Sequence, residues 1–386
     1  MGMELIELER RLIGFDTVSR NSNLEMAEFL EGYLGGLGLR VELYPSEDGQ
    51  KANLLATLGP SDVGGLMLAG HMDVVPVEGQ AWDADPFTLR AEDGRYYGRG
   101  TADMKSFIAQ AIHAVEQLPR DSLKLPVHLA FTYDEEVGCG GAERLMTLLR
   151  EREHVLPKCA VIGEPTGFQV FRLHKGITIA QVSITGVEGH SGKPELGVNA
   201  TYPAVRIIDK LIEVEAERKR HRSMEEYFQF PYTTVNVGMI NGGTAVNIIP
   251  NRCEIAFEYR TMPTEDTMYV YRQLEGYISE VLRPELKQRD ERADVELRIL
   301  NRLMPMELPA GSEIERIALE LTGHSEATAA PYYTEGAIYN EAGIPTVICG
   351  PGDIDQAHRP NEFITREQME QGVPFLAGLI AKVCGP

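Results

Sequence analysis

The run Leu66-Met67-Leu68-Ala69-Gly70-His71-Met72-Asp73-Val74-Val75-Pro76 decides how the rest of the chain is read. It is apolar from Leu66 to Ala69, is preceded by Gly64-Gly65 and closes at Pro76. Such a bounded apolar stretch predicts a strand buried on both faces. Side chains two apart on a strand share a face, so His71 and Asp73 emerge together at its C-terminal end. Open α/β sheets bind their ligands at that end.

The same ending recurs along the sequence. Tyr97-Gly98-Arg99-Gly100-Thr101-Ala102-Asp103-Met104-Lys105 leads into a helical stripe of Phe107, Ile108, Ala111, Ile112 and Val115. Asp134-Glu135-Glu136 closes the apolar run 125–133, Glu164 closes 159–163, and His358 follows 344–350. Taken singly these are unremarkable. A His-x-Asp at a strand end is often a hydrogen-bonded pair, and Asp103 alone is most simply a helix cap. Together they place seven imidazole and carboxylate groups at the ends of successive strands.

Strands alternate with helices up to about residue 175, which predicts a mainly parallel sheet with helices on both faces. The expected elements are helices at 4–14 and 23–37, strands at 39–44, 53–58 and 66–69, a helix at 104–118, a strand at 127–133, a helix at 142–152 and a strand at 160–163. The pattern then changes. Strands at 178–185, 233–240 and 252–261, helices at 202–220 and 267–282, and a strand at 295–300 form a βαββαβ set. The expectation is an inserted α+β domain at 176–290 within a larger domain of 1–175 and 291–386; the strand at 295–300 fits either side of that boundary. The α/β style resumes with a helix at 313–321, a strand at 346–349 and a helix from Arg366.

The formal charge of −21 over 386 residues argues against nucleic acid and anionic membrane surfaces as partners. Five cysteines, an odd number without a Cys-x-x-Cys spacing, argue against a cysteine zinc site and a disulfide framework. The N-terminus is acidic and amphipathic, unlike a signal peptide. No run reaches transmembrane length. A cytoplasmic location is the expectation.

Imidazole nitrogen and carboxylate oxygen suit zinc or cobalt. Two ions about 3.5–4 Å apart need a bridging carboxylate. Asp103 is the natural bridge, with His71 and Glu164 on one ion and Glu136 and His358 on the other. Asp73 then accepts the second ring N–H of His71, and Glu135 is left as a general base.

These motifs resemble the dinuclear zinc amidohydrolases, which include acetylornithine deacetylase, succinyl-diaminopimelate desuccinylase, aminoacylase and glutamate carboxypeptidase. The resemblance covers nearly the whole chain. It departs at Met72, where many relatives carry a small hydroxyl residue. Within the family, Phe15-Asp16-Thr17-Val18-Ser19-Arg20, Lys51-Ala52-Asn53-Leu54 and His174-Lys175-Gly176 resemble the acetylornithine deacetylase branch. The resemblance implies two zinc ions per subunit, with cobalt as a substitute, and removal of the acetyl group from N-acetyl-L-ornithine. Arginine biosynthesis is the implied context. It leaves open another N-acyl amino acid deacylase, a desuccinylase, an acetylcitrulline deacetylase, a dipeptidase or a non-catalytic zinc scaffold. It also implies that the inserted domain is a lid that forms a homodimer. His190, in Gly189-His190-Ser191-Gly192, would donate to the oxyanion from that lid; as an isolated histidine it is only a loop residue. Asn247 and Arg260 would hold the substrate carboxylate, although Arg260 is equally a strand-face salt bridge. Gly350 and Gly352 would form a backbone loop beside the substrate or simply a turn. His174 and Lys175 read as either substrate contacts or a domain hinge.

Overall fold

The structure is a computed structural model that describes residues 2–60, 62–118 and 123–385. The chain divides into two compact units. One comprises Met1–Leu173, Glu307–Ala330 and Thr334–Pro386; the other comprises His174–Met306 and Pro331–Tyr333.

The first unit is built on a nine-stranded sheet. Its four central strands, Val127–Thr132, Leu66–His71, Cys159–Ile162 and Thr346–Ile348, run parallel. All their residues are buried. An unbroken apolar run, not an alternating one, is what a strand covered on both faces requires. One face is covered by Ala142, Leu145, Met146 and Leu149 of helix Gly140–Glu151, with Tyr339 of helix Gly336–Glu341. They pack on Met67, Ala69, Ala130, Ala160 and Ile162. Each fully buried Leu, Ile or Met side chain contributes about 1.5–3 kcal/mol. Helices Lys105–Glu116 and Arg366–Cys384 pack on each other and on the strand Leu66–His71.

The flanks are antiparallel. Arg40–Pro45 pairs with Ala52–Leu58, and Ala52–Leu58 with Val127–Thr132. The turn between the first two is too short for the crossover that a parallel pair needs. A second, three-stranded sheet joins Arg90–Glu92, Arg95–Tyr97 and Phe363–Thr365. Strands of three residues carry too little periodicity to be read from sequence.

The second unit holds an antiparallel sheet in the order Thr234–Gly242, Arg252–Thr261, Gly176–Thr185, Asp294–Leu303. Alternate residues Cys253, Ile255, Phe257 and Tyr259 are buried with Ala180, Val182, Ile184 and Val295. Ile207, Leu211 and Val214 of helix Thr201–Arg218 complete that core with Val270 and Leu274 of helix Tyr269–Tyr277. Asp294–Leu303 pairs along Gly176–Thr185, so the unit runs past residue 290 to Met306. A lone sequence strand does not reveal its pairing partner; here the partner is more than a hundred residues earlier. Among the described residues, no helix is long and apolar enough to cross a membrane.

Candidate metal centre

His71 is the last residue of its strand, and the turn after Val127–Thr132 carries Glu135 and Glu136. Glu164 follows Cys159–Ile162, and His358 lies in the loop after Thr346–Ile348. Four parallel strands thus deliver these groups in the first unit.

Asp103 stands at the centre. Its Oδ1 lies 3.0 Å from His71 Nε2, and its Oδ2 lies 3.3 Å from His358 Nε2. Glu164 Oε1 is 3.9 Å from His71 Nε2, and Glu136 Oε2 is 3.1 Å from His358 Nε2. Two groups result, His71–Asp103–Glu164 and Asp103–Glu136–His358, each with its ligand atoms within 4.8 Å of one another. Asp103 does not cap the following helix: Met104 occupies the cap position and makes no side-chain cap hydrogen bond.

The second ring nitrogen of His71 is fixed differently from expectation. Nδ1 lies 2.9 Å from the Asp73 backbone carbonyl and 3.6 Å from its carboxylate. The carbonyl accepts the Nδ1 proton, so Nε2 faces the cluster. The Asp73 carboxylate is engaged elsewhere. It accepts from Ser19 Oγ at 2.8 Å and from the backbone N–H groups of Glu135 at 3.1 Å and Glu136 at 3.3 Å. Asp73 therefore positions the turn that carries both glutamates. Lys51 steadies the same turn, donating to the Ser19 carbonyl and to Asp134.

The charges are concentrated and buried. Burial raises the Glu135 carboxyl well above its usual range, and the neighbouring Glu164 charge raises it further. Burial likewise raises Glu164 and Glu136, with the Asp103 charge adding to both. Hydrogen bonds donated by the His358 ring to the Asp103 and Glu136 carboxylates push it up to about 10. Burial opposes the charged form of His71, but Asp103, Glu135 and Glu164 outweigh it and raise the ring well above 6.5. Glu136 Oε1 and Glu164 Oε1 are buried without a hydrogen-bond partner. A buried polar oxygen left so costs roughly 1–3 kcal/mol. Two nitrogen–oxygen donor sets, each with one unsatisfied carboxylate oxygen, fit divalent cations.

The Gly350–Gly352 turn lies against the Glu164 loop. A Cβ on Gly350 would sit 2.3 Å from the Gly163 carbonyl oxygen, and Gly352 has φ +83°. Gly352 accepts from Gly167 N–H at 2.8 Å, and Gly350 from Phe168 N–H at 2.9 Å. Only glycine allows that approach.

The remaining expected residues belong to the second unit. His190 and Ile248 pair in a two-stranded ribbon, and Ser191 N–H donates to the Asn247 carbonyl at 3.1 Å. His190 Nδ1 accepts from Gly192 N–H at 3.0 Å. The neutral ring therefore carries its proton on Nε2. Arg260 Nε donates to Glu258 at 3.1 Å. Lys175 Nζ donates to the carbonyls of Phe230 at 2.6 Å and Tyr232 at 2.7 Å. The His174 ring nitrogen Nδ1 lies 2.9 Å from the Lys175 carbonyl.

Sequence reasoning missed Glu362 and Arg99. Both are 1% exposed and joined by an ion pair of 2.5 Å. The signal that could have found them was an acid placed directly before the apolar pair Phe363-Ile364, where a surface carboxylate is not expected.

The sequence pattern of peptidase family M20/M25/M40 matches residues 67–382. The chain belongs to this family. An acetylornithine deacetylase of Pasteurella multocida is 36% identical over 367 residues, 94% of this chain and 92% of the relative. Another, of Proteus mirabilis, is 37% identical over 387 residues, 98% of this chain and 96% of the relative. Among solved structures, an M20 family metallo-carboxypeptidase from Sulfolobus solfataricus has TM-score 0.78 at 19% identity, covering 98% of each chain. A dinuclear metal-binding M20 peptidase from Bacillus subtilis has TM-score 0.66 at 16% identity, covering 97% of this chain and 96% of that one. Those likenesses carry the fold. As an M20 member the protein is a metal-dependent hydrolase.

Proposed function

We propose that the protein removes the acetyl group from N-acetyl-L-ornithine, using two zinc ions per chain that cobalt can replace. The observation that carries the dinuclear reading is Asp103, whose two oxygens face two different imidazoles. His71, Asp103 and Glu164 would hold one ion; Asp103, Glu136 and His358 would hold the other. The substrate is proposed from the two acetylornithine deacetylases, similar over nearly the whole chain.

Bound there, the cations would polarise the amide carbonyl and bring the pKa of an attacking water toward neutrality. Glu135 takes the proton from that water and passes it to the leaving amine. Asp73 aims Glu135 through its backbone N–H. His190, a donor at Nε2, would stabilise the oxyanion across a homodimer formed by the second unit. Asn247 and Arg260 would hold the substrate carboxylate, and the Gly350–Gly352 backbone would line the site. His174 and Lys175 would serve as substrate contacts or as the domain hinge, with two of the Lys175 donors taken by the Phe230 and Tyr232 carbonyls. A cytoplasmic location in arginine biosynthesis follows from the same reading.

The test is a substrate panel on the zinc-loaded protein: N-acetyl-L-ornithine, N-acetylcitrulline, N-succinyl-diaminopimelate and dipeptides. The highest kcat/KM is expected for N-acetyl-L-ornithine. A higher value for the succinyl compound or a dipeptide overturns the substrate and leaves the metal centre standing.

A further inference from the structure

Glu362 lies four residues after His358 and is not in either ligand group. Its Oε1 accepts three backbone N–H groups from one loop: Gly100 at 3.1 Å, Ala102 at 2.9 Å and Asp103 at 3.1 Å. Its Oε2 accepts from an Arg99 guanidinium nitrogen at 2.5 Å. Arg99 also donates to Gln80 Oε1 at 2.6 Å and lies over the Trp82 ring, its Cζ 5.1 Å from the ring centroid. The Glu362 carbonyl accepts from Gly98 N–H at 3.0 Å, and Phe363–Thr365 continues the tie by pairing with Arg95–Tyr97. One buried carboxylate thus gathers the loop ending in Asp103 onto the segment that follows His358.

The chemistry explains the residue type. Three converging N–H dipoles and a guanidinium need an acceptor with concentrated negative charge on both oxygens. A glutamine would offer one oxygen and turn an NH2 toward either the amides or Arg99. The geometry also separates the two ligand groups. His71 and Glu164 hang from paired parallel strands, Leu66–His71 and Cys159–Ile162. His358 sits in a loop with φ +64°, and its side chain is 53% exposed. No strand sets its distance from Asp103.

We propose that Glu362 is a positioning residue for the outer metal site, Asp103–Glu136–His358, acting by fixing Asp103 relative to His358. This rests on the dinuclear reading given above. Partners that orient metal ligands typically contribute about 10–100-fold to metal affinity.

The experiment titrates the metal-free full chain with Zn2+ alone against a chromophoric chelator, comparing wild type, Glu362→Gln and Glu362→Asp. Glu362→Asp keeps the countercharge of Arg99 but is too short to reach all the amides, so it decides the matter if Glu362→Gln does not fold. The expected result is a second affinity weakened by about 10–100-fold and a first affinity, which shares Asp103, weakened much less. A general structural role would weaken both equally, so the ratio of the two affinities is the readout. Both affinities unchanged, both weakened alike, or neither variant folding would overturn the proposal. Wild type taking up only one Zn2+ would instead refute the dinuclear reading on which it stands.

Discussion

The inner and outer halves of the proposed metal centre share Asp103 and differ in how their other ligands are held. The inner half joins His71, the last residue of its strand, to Glu164, two residues past the end of the neighbouring parallel strand, and the His71 side chain is 1% exposed. The outer half, Glu136 and His358, sits on loops, and the His358 side chain is 53% exposed. Strand ends place a ligand through the sheet's own hydrogen bonds. Loops need dedicated carboxylates to reach the same precision. Asp73 gathers the Glu135–Glu136 turn, and Glu362 gathers the Asp103 loop. The inner half is expected to be preformed and retentive, and the outer half to exchange more readily.

The largest expected contrast comes from deleting each histidine. His71→Ala leaves buried Glu164 without its cation partner and Asp103 with only one of its two. Breaking a buried pair from one side costs about 3–5 kcal/mol. Thermal stability of the metal-free chain should fall sharply and metal content should drop toward zero. His358→Ala removes a half-exposed ring from Asp103 and Glu136, so stability should fall less than in His71→Ala and about one metal per chain should remain. Equal losses in the two variants, by calorimetry and metal analysis, would erase the distinction.

Glu135 belongs to the turn of the outer half yet is not expected to bind metal. Glu135→Gln should lower kcat by about 10²-fold or more with metal content near normal. Mixing it with His190→Ala under subunit exchange sharpens the point. If His190 serves the other subunit, each mixed dimer has one site with both lesions and one with neither, and about half of wild-type activity should return. Verified heterodimers without recovery would place His190 in its own subunit's chemistry or outside it altogether.

A smaller effect is protonic. Both histidines are raised in the metal-free chain, His358 to about 10 and His71 well above 6.5. Protons on the histidine and carboxylate ligands compete with the metal, so loading should release protons and affinity should weaken as pH falls. Calorimetry in buffers of different ionisation enthalpy measures this; no release would mean that the rings are already neutral.

How much of this was open to sequence reading depended on whether position alone reveals the partner. His71, Glu164 and the Glu135–Glu136 turn end long apolar runs, and the strand period gives their direction. The alternation of Cys253, Ile255, Phe257 and Tyr259 likewise marks a half-buried sheet. The Asp73 carboxylate was expected to accept from His71, but its backbone carbonyl does so, and the carboxylate's part as acceptor for the Glu135 and Glu136 amides was not legible because backbone hydrogen bonds leave no trace in residue type. Glu362 pairs with Arg99 across 263 residues. Only closure of the three-stranded sheet brings them together. The extent of Asp294–Leu303 and its place in the second unit depend on pairing of the same long-range kind.

The most direct test of the central claim is the metal–metal distance in the fully zinc-loaded protein, by anomalous diffraction or X-ray absorption. Two ions about 3.5–4 Å apart, one on each side of Asp103, are the predicted result. A single fully occupied site, or two ions too far apart to share the Asp103 carboxylate, would contradict the account.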